Sequence, residues 1–278
     1  MKALINLLCC FVPRKKWRKR IRYNLIYSNI RRKELLDYGF KINAGVITTP
    51  QGVRIDISDK SDHPLYLIKE VFVKSEYNLN IREESILIDI GMNRGAASLL
   101  FATNENIKKI YAYEPFKPTF ELAKRNLELN PQLSKKINAF NVGLGKTEIT
   151  LELPYMSTAT GGMSTTHNIC EGEKNTKKET VFIKDAAKEI APILEENKNI
   201  YVIVKCDCEG AEFEIFERLN EEKIIGKINV VLMEFHFEKP DRLIHILTEN
   251  GFAAQLKIGS RKSRTGYIFA IRMAERNC

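Results

Sequence analysis

The sequence lacks the long apolar runs and the cysteine pattern that would place it in several large protein classes. Although 44% of its 278 residues are hydrophobic, no apolar stretch reaches the roughly 18 residues that a membrane-spanning helix needs. The six cysteines form an adjacent pair, an alternating pair and two single residues, without C-x-x-C spacing or a histidine set. This pattern argues against a zinc site or a disulfide scaffold, and we expect a reducing, cytoplasmic setting.

Acidic residues are absent from the start of the chain, and this absence explains the net charge of +9. Residues 1–33 contain eleven lysines or arginines and no aspartate or glutamate, whereas the rest of the chain contains 33 basic and 35 acidic residues. The body is therefore near neutral and lacks the broad positive surface typical of enzymes that act on nucleic acid. We expect no nucleic-acid partner.

The basic arm, predicted as residues 1–40, begins with an apolar segment, residues 1–12, followed by a dense basic run in residues 13–23. The apolar segment is too short to cross a bilayer and no small-residue cleavage site follows it, so a signal peptide is not expected. Two interpretations stay open. The arm is either an interfacial anchor, with Trp17 at the headgroup boundary and its cations on anionic lipid, or a solvated helix that packs on its own domain.

Beyond the arm, the chain is long enough to bury one sizeable core and to carry a small appendage. Residues 41–80 are predicted to form a cap, with a hairpin built from residues 44–49 and 53–57 and a helix over residues 63–74. Residues 81–278 are predicted to form the main α/β domain.

A buried strand followed by a glycine-rich turn predicts a cofactor site. Residues 86–90 make a near-continuous apolar run, which is typical of a strand that is covered on both faces of a parallel sheet. Asp89 lies at its end, and Gly91 and Gly95 let the backbone approach a ligand where a Cβ would collide. The spacing predicts a turn that holds a nucleotide-like cofactor.

A second short strand, residues 109–114, ends in Glu114 about twenty residues further on, where an acid accepts hydrogen bonds from ribose hydroxyls in nucleotide-binding folds. The glycine turn departs from the G-x-G-x-x-G pattern, and the negative charge of Asp89 would repel a pyrophosphate. A cofactor with a cation and no phosphate fits better. We therefore predict S-adenosylmethionine rather than NAD.

Two further segments are assigned by their position after the cofactor strands. Residues 137–142 are predicted to be the third strand, so that Asn141 or Val142 lies beside the adenine; a plain strand end is the alternative. Residues 154–180 turn polar and irregular, which indicates either a functional segment or a floppy insertion. We favour a mobile lid that orders on substrate or cofactor.

Charged residues cluster at the end of the next predicted strand, residues 201–209. The two-residue period of a strand puts Lys205, Asp207 and Glu209 on one side. Three charges at the carboxyl end of a central strand need a ligand, a metal or one another. A structural alternative is that Lys205 pairs with Glu209 or Glu212 to fix the turn.

The following strand, residues 229–236, ends in Glu234 and His236, again on one side. Transfer of a methyl group to a hydroxyl needs a base or a metal to draw off the proton, and His236 is the best base by residue type. The predicted catalytic set is His236, Asp207, Lys205 and Glu234. A divalent cation is not predicted, but a metal-dependent variant stays open, with the candidate ligands Asp207, Glu209, Glu234 and His236.

Five segments together resemble the FkbM family of S-adenosylmethionine-dependent methyltransferases over roughly residues 80–258. They are D-I-G-M-N-R-G (89–95), Y-E-P (113–115), N-V-G-L-G (141–145), V-K-C-D-C-E-G-A-E (204–212) and L-M-E-F-H (232–236). The family pattern is D-[IV]-G-A-N-x-G, then x-E-P, then K-x-D-x-E-G-x-E, of which the last is the most specific. Met92 replaces a usual alanine, and Cys206 and Cys208 replace usual aliphatic residues.

The resemblance implies an α/β, Rossmann-like class I methyltransferase fold. Its sheet is expected to be mostly parallel and seven-stranded, with helices on both faces and a final hairpin of residues 253–257 and 265–272. The matching motifs add Asn93 and Pro115 to the cofactor-binding residues.

The resemblance also implies O-methyl transfer, commonly onto glycan or polyketide hydroxyls. We predict a sugar hydroxyl of a bacterial surface glycan or of its lipid-linked precursor as the acceptor, and a place in the cytoplasm, with the arm on the inner face of the membrane. A nucleic-acid methyltransferase is the alternative, but no N-P-P-Y-type or Pro-Cys motif is present. A non-catalytic nucleoside-binding protein is disfavoured by polar residues at four strand tips.

Overall fold

The computed structural model describes residues 28–58, 63–74, 76–77, 79–157, 160–167, 170, 176–259 and 264–273. Residues 1–27 of the predicted basic arm lie outside the described residues. The chain divides into two compact units, Met1–Asn78 and Leu79–Cys278. Among the described residues, none of the helices combines the length and the apolar character that crossing a bilayer requires.

The described residues of the first unit form one short helix, a small antiparallel sheet and a second helix. These are α1 (Ser28–Asp37), β1 (Lys41–Asn43), β2 (Val46–Thr48), β3 (Arg54–Asp56) and α2 (His63–Ile68), which continues as a π-helical turn (Lys69–Val73). Strands β1 and β2 are joined by Ala44 and Gly45, both with positive φ (47° and 78°), as a tight hairpin turn requires. The hairpin predicted from residues 44–49 and 53–57 corresponds to β2 and β3, and the structure adds β1.

The second unit alternates strands and helices. In chain order it contains β4 (Ser85–Ile90), α3 (Ala96–Ala102), β5 (Ile107–Tyr113), α4 (Lys117–Glu128), α5 (Pro131–Ser134), β6 (Ile137–Phe140), β7 (Gly143–Gly145), β8 (Ile149–Tyr155), β9 (Lys177–Asp185), α6 (Ala186–Glu196), β10 (Tyr201–Cys206), α7 (Glu212–Glu221), β11 (Val230–Phe235), α8 (Asp241–Glu249), β12 (Phe252–Ile258) and β13 (Gly266–Arg272). All six residues of β4 are buried, as expected for a strand with both faces covered.

Seven of these strands form one sheet in the order β12-β13-β11-β10-β4-β5-β6. Every neighbouring pair is parallel except the two pairs that β13 makes, with β11 and with β12. This confirms the predicted fold, including the hairpin at the end of the chain. The strand order reverses between β4 and β10, and ligands bind in such sheets outside the carboxyl ends of the strands at this switch point.

A smaller sheet has the strand order β7-β9-β8. Because of this sheet, the irregular segment is shorter than the predicted residues 154–180. Tyr155 pairs with Lys177 and Pro154 pairs with Lys178 in the antiparallel β8–β9 ladder, so both ends of that segment are strand. The polar composition misled the prediction because an edge ribbon can turn one face to solvent. Residues 158–159, 168–169 and 171–175 of the segment lie outside the described residues.

The end of β9 is tied to two helices through one carboxylate. Asp185 caps α6 by accepting hydrogen bonds from the amides of Ala187 (2.9 Å) and Lys188 (3.3 Å), as a residue at a helix start often does. Its other contact is Arg218 on α7, whose Nη2 lies 2.9 Å from Asp185 Oδ2. The small sheet is thereby joined to the helices that cover the large one.

The core between the large sheet and helices α6 and α7 should dominate the stability of this unit. Phe216 on α7 is fully buried in it, so Phe216→Ala is expected to lower the free energy of unfolding by about 3–5 kcal/mol. Phe182→Ala, on β9 with 53% of its side chain exposed, is the control and should cost less than about 0.5 kcal/mol. Urea unfolding measures both, and equal costs would contradict this packing.

Candidate active site

The turn after β4 is held by the ends of the neighbouring strands. Gly91 has a φ of 83°, and a Cβ there would lie 1.8 Å from the carbonyl oxygen of Asp207, so only glycine fits. The amides of Gly91 and Met92 donate to the carbonyl of Tyr113, at 3.1 and 2.8 Å, and the amide of Asp207 donates to the carbonyl of Ile90 at 3.0 Å. The turn therefore joins the carboxyl ends of β4, β5 and β10.

A buried ion pair lies beneath this turn. The side chains of Lys205 and Asp89 are 3% and 0% exposed, and Lys205 Nζ lies 3.1 Å from Asp89 Oδ1. The ammonium also donates to the carbonyl of Gly91 (2.7 Å), while Ser98 Oγ donates to Asp89 Oδ2 (2.5 Å). Burial alone would lower the pKa of Lys205, but the charges of Asp89 and Asp207 outweigh burial and raise it, so Lys205 stays a cation.

This pair corrects two predictions. Asp89, predicted to contact the cofactor, is fully buried and lies outside the cavity wall. Lys205, predicted to be catalytic, is equally enclosed and holds the turn instead. The alternative interpretation of the sequence, in which Lys205 fixes the turn, predicted this role but named Glu209 or Glu212 as the partner of Lys205. The strand register decides otherwise, because β10 and β4 place Lys205 directly beside Asp89 and a buried charge needs its counter-charge close by.

Glu114 lies where the sequence predicts a ribose-binding acid. Its carboxylate accepts hydrogen bonds from the amides of Asn93 (3.0 Å) and Phe116 (2.9 Å), and only 6% of the residue is exposed. Burial raises the pKa of Glu114 to about 7 despite these two hydrogen bonds, which lower it. The carboxylate is therefore oriented by the backbone and lies at the threshold of ionisation at neutral pH.

Asn141 or Val142 was predicted to lie beside the adenine, but neither residue lines the cavity. The side-chain amide of Asn141 donates to the carbonyls of Glu114 (2.9 Å) and Pro115 (3.1 Å), so it fixes the backbone on which Glu114 is carried. Val142 packs against the main core. The next two residues, Gly143 and Leu144, form the wall instead. A chain of only three residues in β7 gives too short a pattern to separate a strand from a turn by periodicity.

These elements surround a cavity at the switch point of the sheet. Its walls come from the ends of β4, β5 and β10, from β7 and from the segment after β8. The lining residues are Ile90, Gly91, Asn93, Tyr113, Glu114, Pro115, Phe116, Gly143, Leu144, Thr160, Gly161, Met163, Thr165, Asp207, Cys208, Glu209 and Ala211. Gly95, predicted to bind cofactor, instead opens α3 with a φ of 79°.

The cavity wall fits a polar ligand such as the predicted cofactor. Asn93 Oδ1 is buried and has no hydrogen-bond partner in the part of the chain that the structure describes, so a ligand donor is needed there. Glu114 offers carboxylate oxygens to a ribose. Gly91 lets the ligand approach the backbone. Of the residues predicted to bind cofactor, those that line the cavity are Gly91, Asn93, Glu114, Pro115 and Asp207.

The segment after β8 forms one side of the cavity. None of its residues was among the predicted site residues. Ser164 Oγ donates to the carbonyl of Glu209 (2.5 Å) and accepts from the amide of His167 (2.9 Å). The ring of His167 stacks on that of Phe237, with centroids 4.2 Å apart. Gly210 lies at this junction, where a Cβ would come within 2.7–2.9 Å of atoms of three side chains. No local pattern could reveal these long-range contacts.

His236 lies behind the cavity wall among carboxylates. Its Nδ1 donates to Glu212 Oε1 (2.9 Å), and its Nε2 lies 3.7 Å from Glu209 Oε2 and 3.6 Å from Glu234 Oε1. Burial would lower the pKa of His236, but these carboxylates outweigh burial and raise the pKa to about 11. His236 is also not among the residues that line the cavity, so its position does not support the predicted role of general base.

The structure nevertheless brings the other predicted acids together beside that ring. One ligand atom each from Asp207, Glu209 and His236 lie within 4.8 Å of one another. Asp207 and Glu209 line the cavity, and burial raises the pKa of Glu209 to about 8. Glu234 is half-buried on the outer side and takes a hydrogen bond from Tyr267. A carboxylate cluster therefore lies at the rim of the cavity.

A sequence model described as "Methyltransferase FkbM domain" matches residues 89–254, more than half of the chain. The chain belongs to the FkbM methyltransferase family. It is accordingly an S-adenosylmethionine-dependent methyltransferase, and the cavity at the switch point of this FkbM enzyme is its candidate cofactor site. The matched residues run from Asp89 in β4 to Ala254 in β12 and so include every residue that lines the cavity.

Relatives of this FkbM enzyme are distant. Methyltransferase sdnD of Sordaria araneosa is 27% identical over 180 residues, which cover 56% of this chain and 69% of the relative. Methyltransferase 1 of Beauveria bassiana (strain ARSEF 2860) is 25% identical over 170 residues, which cover 56% of this chain and 68% of the relative.

Among solved structures, methyltransferase FkbM from Methylobacillus flagellatus KT is 14% identical with a TM-score of 0.43, covering 73% of this chain and 47% of that one. A human methyltransferase 10 domain containing protein is 17% identical with a TM-score of 0.44, covering 81% and 91%.

Gly91 should tolerate no side chain, because its Cβ would overlap the carbonyl of Asp207. We expect Gly91→Ala to weaken binding of S-adenosylhomocysteine at least tenfold and to lower the melting temperature. Gly226→Ala is the matched control, since a Cβ there meets nothing within 4 Å. Calorimetric titration and thermal melting of both variants measure the two effects. Wild-type affinity in Gly91→Ala would show that the turn is not part of the site.

Cofactor affinity should depend on pH through Glu114. Ribose hydroxyls donate to the ionised carboxylate, so affinity is present above the pKa of about 7 and is lost as the pH falls below it. We expect S-adenosylhomocysteine to bind about tenfold more weakly at pH 6 than at pH 8. Glu114→Gln should bind weakly at both values, with a flat profile. A wild-type profile that is flat from pH 6 to pH 8 would contradict this role.

Proposed function

We propose that this FkbM methyltransferase transfers the methyl group of S-adenosylmethionine to a hydroxyl of a sugar, in a surface glycan or its lipid-linked precursor. The proposal is supported by one observation: carboxylates and aromatic rings lie close together at one rim of the cavity. Asp207 and Glu209 present carboxylates in the cavity wall, and the stacked rings of His167 and Phe237 lie next to them. Such a rim suits a ring with hydroxyls on its edge.

The carboxylates supply the chemistry that a hydroxyl acceptor needs. In the transfer, the hydroxyl oxygen forms a bond to the methyl carbon while the carbon–sulfur bond breaks and sulfur leaves as a neutral thioether. Alignment of oxygen, carbon and sulfur supplies much of the acceleration. The hydroxyl proton must pass to a group within reach. Glu209 is the proposed acceptor of that proton, because its side chain lines the cavity and His236 does not.

The ring pair supports a sugar over a smaller alcohol. Phe237 is half-buried and has a φ of 67°, a strained value for a bulky residue that a fold keeps mostly at functional positions. Its ring and that of His167 offer an apolar face to the C–H side of a pyranose. Glu209 and Glu234, close to the same rings, would accept hydrogen bonds from the remaining hydroxyls. Aromatic and carboxylate groups together match both faces of a sugar.

The charge distribution supports an acceptor at a membrane rather than a nucleic acid. Eleven lysines or arginines lie within residues 1–33, and the rest of the chain is near neutral. An arm of this kind favours anionic lipid surfaces, where a lipid-linked glycan precursor is found. A nucleic-acid acceptor would need a positive surface around the cavity, and three acids, Asp207, Glu209 and Glu234, lie there instead.

The acceptor class is tested by transfer of labelled methyl groups. The full chain is incubated with labelled S-adenosylmethionine and, separately, with simple pyranosides, nucleotide sugars, lipid-linked oligosaccharides, RNA and a protein mixture. We expect label in a sugar-containing fraction, as an ether that survives mild alkali. Label that appears in RNA or protein and not in any sugar would contradict the proposal.

Glu209→Gln tests the chemical role in the same assay. Removal of the carboxylate should lower turnover about 10²- to 10⁴-fold, the range that base catalysis supplies, because the hydroxyl proton loses its acceptor. Binding of S-adenosylhomocysteine should change less than threefold. Glu238→Gln is the control, since the side chain of that exposed acid pairs with Arg242. Turnover near the wild-type value in Glu209→Gln would remove Glu209 from the mechanism.

A further inference from the structure

The carboxylate cluster at the cavity rim has a composition and geometry that its role as a proton acceptor does not require. Three acids surround one imidazole: His236 lies 2.9 Å from Glu212, 3.6 Å from Glu234 and 3.7 Å from Glu209. The side chains of Glu209 and Glu234 are only 20% exposed, and that of Glu212 is fully buried. Negative charges held this close out of water need a compensating cation.

His236 is oriented as a metal ligand rather than as a hydrogen-bond link. Its Nδ1 is fixed by Glu212, whose second oxygen accepts from the amide of Gly210 (2.7 Å). Its Nε2 points toward Glu209 and Glu234, yet both distances exceed a hydrogen bond. The side chain is 92% enclosed, since only 8% of it is exposed. A carboxylate that holds one ring nitrogen while the other faces oxygen donors is the usual support for a metal-binding histidine.

The remaining donors lie within reach of a single ion. Oxygens of Asp207 and Glu209 and a nitrogen of His236 all lie within 4.8 Å of one another. Lys205 Nζ lies 3.9 Å from Asp207 Oδ2 but is held by Asp89 and the carbonyl of Gly91. The charge of Lys205 is therefore balanced mainly by Asp89 rather than by the acids at the cavity rim. Two carboxylates and one imidazole suit divalent ions such as Mn²⁺, Fe²⁺ or Zn²⁺ better than Ca²⁺.

We infer that Asp207, Glu209 and His236 bind one divalent transition-metal ion at the cavity rim, with Glu212 as the residue that positions the imidazole. Each ligand residue offers one atom, which leaves the second oxygen of Glu209 for the acceptor proton. A proton on Nε2 of His236 is released to solvent when the ion binds, because a metal-binding imidazole must be neutral. The ion would polarise the acceptor hydroxyl, so this role rests on the proposed function. Ion binding itself does not, because it needs neither acceptor nor turnover.

Calorimetric titration of the chelator-treated full chain with Mn²⁺, in the presence of S-adenosylhomocysteine, tests the site. We expect one Mn²⁺ per chain. Asp207→Asn and His236→Gln should each weaken Mn²⁺ at least tenfold, and Glu212→Gln should weaken it about 10- to 100-fold through the orientation of His236. Glu238→Gln, an exposed acid near the cluster, should bind Mn²⁺ like the wild type. Thermal melting confirms that each variant is folded.

Two outcomes would overturn the inference. One is the absence of binding by Mn²⁺ and also by Zn²⁺ to a wild-type chain that still binds S-adenosylhomocysteine. The other is equal Mn²⁺ affinity in the wild type and in folded His236→Gln. The labelled-methyl assay with excess chelator separates this inference from the proposed function. Full transfer to a sugar without any ion refutes the role of the ion in the transfer, whereas Mn²⁺ binding without sugar transfer refutes the acceptor class alone.

Discussion

The buried pair of Asp89 and Lys205 is the interaction on which the rest of the site depends. Removing two charges from water costs several kcal/mol per ion unless every oxygen and proton finds a partner. Here Ser98 donates to Asp89 Oδ2 and the carbonyl of Gly91 accepts from the ammonium. Asp89 Oδ1 has the ion pair with Lys205 at 3.1 Å but no hydrogen-bond partner among the described residues. The pair joins β4 to β10 at the point where the strand order reverses, and the bond to Gly91 fixes the glycine turn. The cofactor turn and the acidic strand tip are thus positioned by one ammonium group.

That ammonium also explains how the acids at the cavity rim are tolerated. Charges alternate outward from the core: Asp89, then Lys205, then Asp207, and next to them the ring of His236 among its carboxylates. Each layer is screened by the one beneath it, so the outermost acids face the cavity with part of their charge unmatched. A positively charged ligand is favoured at such an edge. S-adenosylmethionine carries its positive charge on the sulfur that donates the methyl group, which suits this arrangement.

The fold was predictable because apolar runs and strand-end motifs repeat in chain order, but side-chain directions at the strand ends were not. The two-residue alternation holds only while the backbone is extended. Strand β10 ends at Cys206, and Glu209 and Gly210 have φ values of 55° and 108°, so Lys205 points inward while Glu209 reaches the cavity. The contact between His167 and Phe237 joins segments far apart in sequence, and no local pattern encodes such a contact.

Glu209 is the residue at which these separate constraints meet. Its carbonyl accepts from Ser164, which carries the segment that closes the cavity. Its backbone adopts a left-handed conformation that few non-glycine residues favour, and the following Gly210 leaves no room for a Cβ between Thr166, His167 and Phe237. Any displacement of the segment that carries Ser164 would therefore also change the surroundings of the Glu209 carboxylate. The position of this part of the cavity wall and the position of that carboxylate are, for this reason, structurally coupled.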